Sequence, residues 1–289
     1  MIKNKILVTG GAGFIGSNLC ERLAQNLNND VYSLDNYFMG SKDNHVSNVT
    51  YINGSTENIS SLVNFKPNIV YHLGEYSRVE QSFKDIRDAW RFNTNGTFAV
   101  LEFVRCIGCK ILYAGSSTKF GDGGTGRNDS PYAFMKSTNT QLVINYGNWF
   151  NMPYAITYFY NVYGKREIQH GKYATLIALF KEKMRNGQPL TVVSPGSQNR
   201  NFTHIDDIVD ALIMVGENGS GDGYGIGSDM TYSVREVADM FGGRVEMLPA
   251  RQGNRLNADV LTQKTKALGW TPKKLLKDYV ANLKKNNWV

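Results

Sequence analysis

The sequence predicts an α/β protein, a doubly wound parallel sheet carrying a smaller C-terminal lobe, and three features lead to that reading. The first strand-like run breaks on spaced glycines and resumes at helical spacing. Further apolar runs alternate with segments long enough for helices, the pattern of β-α units and a parallel sheet. Beyond about residue 165 the alternation loses its regularity. Residues 1–165 are therefore expected to hold the sheet and residues 166–289 the smaller lobe, with some segments crossing between them.

The N-terminal stretch "KNKILVTGGAGFIGSNLCERLAQ" reads as strand, tight turn and helix, with Phe14, Ile15, Leu19 and Leu23 at helical spacing. Gly10, Gly13 and Gly16 form G-x-x-G-x-x-G. Without side chains there, the backbone can turn sharply and a pyrophosphate can approach the helix N-terminus, where free N–H groups and the helix dipole hold an anion. The next run, "DVYSLDN", ends in Asp35 and Asn36, about twenty residues past the glycines. A carboxylate at that point accepts hydrogen bonds from adenosine ribose hydroxyls and repels a 2′-phosphate, which favours NAD over NADP. The runs "VTYING", "NIVYHLG", "KILYAGS" and "YAITYFYNVYG" continue the alternation, with helix expected in "RDAWRFNTNGTFAVLEFVRCIG". Ligands of such a sheet bind beyond the carboxyl ends of its strands.

Composition bounds the partners. Lys and Arg number 32 against 25 Asp and Glu, a formal +7, but they are scattered except in the C-terminal "TPKKLLKDYVANLKKNNWV", which reads as a solvated helix face. No helix-turn-helix, zinc or RNA-binding signature accompanies the charge, so no nucleic-acid partner is expected. No apolar run reaches about 18 residues and no signal-peptide pattern opens the chain, so a cytosolic protein without a membrane partner is expected. Cys106 and Cys109 form C-x-x-C at a helix end before a strand, without further ligands nearby; this points to packing and not to zinc or redox chemistry.

The strand "KILYAGSS" delivers Ser116 and Ser117 to the crevice, and a helix is expected to begin near Pro131 in "SPYAFMKSTNTQLVINYGNWF". Tyr132 and Lys136 lie one turn apart on its shared face. A tyrosine ordinarily ionises near pH ~10; positive charge from Lys136 and an oxidised nicotinamide favours the phenolate and makes it a usable base.

With these residues in place, the chain resembles the extended short-chain dehydrogenase/reductase family, in particular its NAD-dependent nucleotide-sugar epimerases and dehydratases. The resemblance spans nearly the whole chain through "TGGAGFIG", "SLDN", "PNIVYHLG", "NTNGT", "YAGSSTKFGD", "YAFMK", "YNVYG", "SQNRNFTHIDD" and "ALGWTPKK". It implies a Rossmann domain over 1–165 that holds NAD and the catalytic groups, and a lobe over 166–289 that binds an NDP-sugar. It further implies Tyr132 as base, Lys136 on the nicotinamide ribose, and Ser116 on the reacting sugar oxygen, because Phe120-Gly121 stand where the family has Tyr-Gly. Cofactor contacts are implied at Gly10, Gly13, Phe14, Ile15, Gly16, Asp35, Asn36, Ser55, Leu73, Tyr132 and Lys136. Substrate contacts are implied at Ser116, Ser117, Asn161, Arg200 and Arg251, the two arginines matching those that bind pyrophosphate. Family members often dimerise through the helix bearing Tyr-x-x-x-Lys and its neighbour, so a homodimer is expected.

The chain departs from the family pattern in three places. The stretch "GDGGTGRND" before Tyr132 is shorter and richer in glycine than usual, Ser55 replaces an aspartate near adenine, and Gly74-Glu75 replaces a pair of small residues. Glu75 is expected in a surface or loop ion pair. In "FTHIDDIVDAL", His204 and Asp206-Asp207 read as a helix start with a capping carboxylate.

Family dehydratases carry Asp-Glu immediately after the catalytic hydroxyl, and decarboxylases a glutamate at the second of those positions; here the two are Ser117 and Thr118. What remains is reversible oxidation of a sugar hydroxyl, so the sequence reads as a 4-epimerase of a UDP-hexose working through a 4-keto intermediate. A 4,6-dehydratase, a 4-keto sugar reductase and a non-catalytic NAD-binding protein are the alternatives.

Overall fold

The computed structural model describes residues 3–120, 126–250 and 261–288. Its central sheet has the strands β1 (Asn4–Thr9), β2 (Asn29–Asp35), β3 (Val49–Asn53), β4 (Ile69–His72), β5 (Lys110–Ser116), β6 (Tyr154–Phe159) and β7 (Gly221–Ile226). They lie side by side in the order β7-β6-β5-β4-β1-β2-β3, and every neighbouring pair is parallel. The helices that matter to the site are α1 (Phe14–Ala24), α2 (Gly96–Ile107), α3 (Pro131–Phe150) and α4 (Ile205–Asn218).

The two-residue period of a strand explains the layers. Along β1, Ile6 and Val8 enter a core with Leu19 and Leu23 of α1 and Ile208 and Leu212 of α4. Leu7 enters the opposite core, with Val100 and Val104 of α2 and Val143 of α3. With both faces covered, a strand such as β4 is buried at all four residues, which is why it reads as an uninterrupted apolar run. From β1 the chain winds to one side through β2 and β3, then crosses back to β4 and winds to the other. The winding therefore reverses between β1 and β4, and the crevice lies at this switch point.

A third core of Tyr163, Phe180, Leu190, Val192, Val237, Phe241, Leu276 and Val280 is built largely from later segments. The late elements α4 and β7 return to the first sheet, β7 pairing with β6. In the helix Leu276–Lys285 the buried residues are Leu276, Val280 and Leu283, and its lysines face solvent, the solvated basic face expected. Cys106 is exposed, Cys109 is buried and both are free.

The start of α4 differs from expectation. The capping side chain is His204, not a carboxylate: its Nδ1 accepts from the Asp206 N–H at 3.1 Å, a role open to the neutral ring that burial favours. Asp207 is buried and instead accepts from the Lys274 N–H at 3.0 Å, while the Trp270 indole donates to its carbonyl at 2.9 Å. The closing "ALGWTPKK" segment is docked there.

Glu167 braces the chain as it leaves the sheet, accepting from the Gly164 N–H at 2.9 Å and the Thr175 hydroxyl at 2.5 Å. Burial pushes its carboxyl up to about 7, so the folded protein holds this proton more tightly than the unfolded chain does. The associated stability is full below the ordinary glutamate range and is lost as pH rises towards that value. Glu167→Gln removes the loss: thermal melts should show the variant more stable than the parent above about pH 8, by the equivalent of roughly 2–3 kcal/mol, with the gap closing near pH ~4.

Candidate active site

The glycine turn after β1 is shaped by close approach. Gly10 has φ 74°, and a Cβ there would sit 2.8 Å from the Gly74 Cα in the loop after β4. A Cβ at Gly16 would lie 2.1 Å from the Gly10 carbonyl oxygen, so α1 seats directly on the turn. No side chain caps α1 at Gly13, which leaves its first-turn N–H groups available to an anion.

Asp35, at the end of β2, is buried and accepts from the Ala12 N–H at 2.9 Å and the Tyr37 N–H at 2.8 Å. Burial pushes its carboxyl above the usual range while these backbone donors pull it back. The carboxylate thus braces the glycine loop, and with Asn36 it lines the crevice. Ser55 turns away from it: its hydroxyl donates to Glu57 at 3.1 Å, and the crevice is lined by its neighbours Gly54 and Thr56.

The crevice holds a cavity of about 680 Å³. Its lining includes Gly10, Gly13, Phe14, Ile15, Gly16, Asp35, Asn36 and Leu73, together with Ser116, Ser117, Tyr132, Lys136, Asn161 and Arg200. Arg251 and residues 121–125 of the glycine-rich stretch lie outside the described residues. The α3 helix starts at Pro131 because Ser130 caps it, accepting from the Ala133 N–H at 3.1 Å. Tyr132 therefore stands in the first turn at the cavity, packed against Met135, Phe92 and Tyr76. The Ser116 hydroxyl at the tip of β5 lies 2.8 Å from that of Thr118.

Lys136 is buried and donates to the Ala114 carbonyl and to Glu75. The expected loop ion pair of Glu75 is thus present, but it is buried and not at the surface. The Glu75 Oε1 accepts from Thr97 at 2.9 Å, Asn139 at 3.0 Å and Tyr113 at 3.1 Å. Gly74, anchored by its N–H to the Thr9 hydroxyl at 3.0 Å, turns the chain so that residue 75 leaves the surface.

Two other polar groups at the cavity, and an aromatic cluster beside it, were not foreseen. Arg78 donates to the Tyr173 carbonyl at 2.8 and 2.5 Å, tying the loop after β4 to the later lobe. The Gln198 Oε1 is buried, lines the cavity and has no partner among the described residues. Phe38, Tyr76 and Tyr173 cluster with ring centroids about 6 Å apart. Gln198 lies inside the quoted "SQNRNF", and Arg78 three residues past Glu75 in "LGEYSRVEQS"; Tyr173 carries no sequence signal.

Fold and cavity define a class first: a dinucleotide-binding α/β protein with hydroxyls, a tyrosine and a lysine converging beyond its strand ends. The chain belongs to the NAD-dependent epimerase/dehydratase family, whose model matches residues 6–227. It is 31% identical to a putative UDP-glucose 4-epimerase of Methanocaldococcus jannaschii, over 98% of this chain and 99% of that protein. It is 26% identical to UDP-glucuronic acid decarboxylase 5 of Arabidopsis thaliana, over 95% of this chain and 86% of that one. Among solved structures, UDP-glucose 4-epimerase from Thermotoga maritima with UDP-glucose superposes with a TM-score of 0.88 at 27% identity, covering 98% of this chain and 99% of that one. The cofactor is NAD. The residues fit it: the side-chain-free cradle and uncapped α1 would hold the pyrophosphate, Asp35 the adenosine ribose and Lys136 the nicotinamide ribose. Among the described residues, no His, Cys, Asp and Glu group is placed to hold a metal ion, and no helix is long and apolar enough to cross a membrane.

Asp35→Ala should weaken NAD binding and narrow its advantage over NADP, read by calorimetry with each dinucleotide. Because the Ala12 and Tyr37 N–H groups lose their acceptor, the variant should also lose about 1–3 kcal/mol of stability in denaturant melts. An unchanged cofactor ratio would remove Asp35 from the ribose site.

Proposed function

We propose that the chain is a nucleotide-sugar 4-epimerase acting on a UDP-hexose. The observation that carries this reading is the run Ser116-Ser117-Thr118 at the tip of β5, hydroxyls alone where elimination or decarboxylation needs a carboxylic acid/base. Other carboxylates at the cavity have different duties. Asp35 holds the Ala12 and Tyr37 amides, Glu75 is paired with Lys136, and Glu80 is solvent-exposed at the start of the turn Glu80–Phe83. The relatives that carry UDP-glucose in their names support a UDP-hexose.

In this reading Tyr132 takes the proton from the sugar O4 while the Ser116 hydroxyl hydrogen-bonds the same oxygen. NAD, when bound, supplies reversible hydride transfer at C4. The 4-keto sugar then turns within the cavity, and Tyr132 returns the proton to O4 on the inverted centre. Asn161 and Arg200, with Arg251, hold the nucleotide phosphates, a task for which the guanidinium fork is suited. The cavity confines the keto sugar so that turning, not release, follows oxidation.

The same reading includes a homodimer. Trp90, Phe98 and Phe134 are roughly half exposed, and Trp90 and Phe134 share a depression with Phe83, Ile86 and Pro131 beside the N-terminus of α3. Light scattering should give twice the chain mass for the parent, and Trp90→Asp with Phe134→Asp should give monomer. A monomeric parent would reject the assembly.

Incubated with UDP-hexoses, the protein should yield a product of unchanged mass whose NMR spectrum shows inversion at C4. Loss of water or carbon dioxide would overturn the reading. Tyr132→Phe should cut kcat by about 100-fold or more while leaving NAD affinity near that of the parent, and Ser116→Ala should cost more than Ser117→Ala.

A further inference from the structure

Asp85 stands at the start of the short helix Ile86–Trp90, where an aspartate ordinarily caps its own backbone, yet its side chain makes no cap bond. It turns instead to two phenols. Its carboxylate accepts from the Tyr76 hydroxyl at 3.0 Å and from the Tyr173 hydroxyl at 2.8 Å, and the Lys172 ammonium lies 2.8 Å away. Lys172 and the two phenols hold the Asp85 carboxyl below the usual carboxylate range, so it is ionised near neutral pH and both phenols donate to it. Lys172 is exposed and its ion pair contributes little by itself, whereas Tyr76 is buried.

These bonds join stretches that are remote in sequence. Tyr76 and Asp85 belong to the chain that follows Gly74 and the glycine cradle, while Tyr173 lies 88 residues past Asp85, in the turn Gly171–Tyr173 beyond β6. The same turn is held a second time by Arg78, whose Nε and Nη2 donate to the Tyr173 carbonyl at 2.8 and 2.5 Å. Tyr173 is thus gripped at its hydroxyl and at its backbone. The grip sits at the reacting end, because Tyr76, Tyr173 and Tyr132 pack into one cluster with Phe92 and Met135. Both joined stretches line the cavity, one through Tyr76, Arg78 and Val79 and the other through Ile168, Ala174 and Thr175.

We propose that Asp85 is a positioning residue that keeps this clasp shut around the reacting sugar. The proposal rests on the 4-epimerase reading given above, in which the keto sugar must turn before it leaves. Once C4 has given its hydride to NAD and O4 its proton to Tyr132, a keto sugar that escapes leaves one NADH and one protonated tyrosine behind. Such a protein cannot oxidise the next substrate. A wall tied across the cavity by Asp85 and Arg78 slows escape relative to turning, the task that closing segments perform in enzymes with reactive intermediates.

Two readouts test this, the first needing neither cofactor nor turnover. In cofactor-free Asp85→Ala, hydrogen exchange read by mass spectrometry should show residues 168–176 opening about tenfold faster than in the parent, the size of one lost hydrogen bond. During turnover of a UDP-hexose, NADH read by its near-ultraviolet absorbance should build up about tenfold more per epimerised product, matched by free 4-keto sugar trapped with hydroxylamine. Counting per product cancels any loss of folded protein, so a variant that is merely destabilised leaves this ratio where it was. Tyr173→Phe, which keeps the ring and removes the hydroxyl, should move both readouts the same way and serves if Asp85→Ala does not fold. An unchanged ratio of NADH to product in these variants overturns the proposal and leaves the 4-epimerase reading standing. A parent that forms no C4-inverted product sinks both.

Discussion

The contact between Gly10 and Gly74 is the constraint on which the rest of the site depends. Strands β1 and β4 are neighbours at the point where the winding reverses, and their loops would ordinarily part. Here they touch: a Cβ on Gly10 would sit 2.8 Å from the Gly74 Cα, and one on Gly74 would sit 2.9 Å from the Gly10 nitrogen. The Thr9 hydroxyl locks the pair, accepting from the Gly74 N–H at 3.0 Å and lying 2.7 Å from the His72 Nδ1. From one side of this contact the chain enters α1 with its N-terminus open to phosphate. From the other it enters Glu75 and the reacting end of the cavity. The distance between the anion cradle and Lys136 is thus set by two missing side chains.

Much of this was legible in the sequence, because the signals concerned are local. The spacing of Gly10, Gly13 and Gly16 encodes a turn and a helix start, and the apolar runs encode strands buried on both faces. Ser130-Pro131 encodes the start of α3, and with it the height of Tyr132 and Lys136 above the strand ends. Each of these readings needs only residues within a turn or two of one another. Ser116 was placed at the crevice by the strand-end rule, Tyr132 and Lys136 by helical spacing, and Asn161 and Arg200 by the family resemblance; all five line one cavity.

What was not legible depends on pairs far apart in the chain. Glu75 was expected in a surface or loop ion pair, but neither its burial nor its partners could be read, since Thr97, Tyr113, Lys136 and Asn139 lie 22 to 64 residues away. The Arg78 contact with Tyr173 spans 95 residues, and the Asp207 contact that displaced the expected cap spans 67. No periodicity reports such pairings. Ser55 illustrates the reverse case: aligned to an adenine-contacting position, it spends its hydroxyl on Glu57, because a short residue at a turn finds its own backbone and neighbours first.

The formal charge of +7 is therefore a poor guide to the cavity. Among the described residues, all three cations that line it donate within the protein: Lys136 to Glu75 and Ala114, Arg78 to the Tyr173 carbonyl and Arg200 to the Asn199 carbonyl. The uncapped N–H groups at the start of α1 are open to an anion without any side-chain cation. The reacting end is organised on another principle. Its carboxylate, ammonium and hydroxyls bind one another, so their orientations are set before any sugar arrives and little reorganisation is left for the proton transfer. In the 4-epimerase reading proposed above, a grip on the nucleotide that is separate from the reacting end would let the bound sugar turn without releasing its handle.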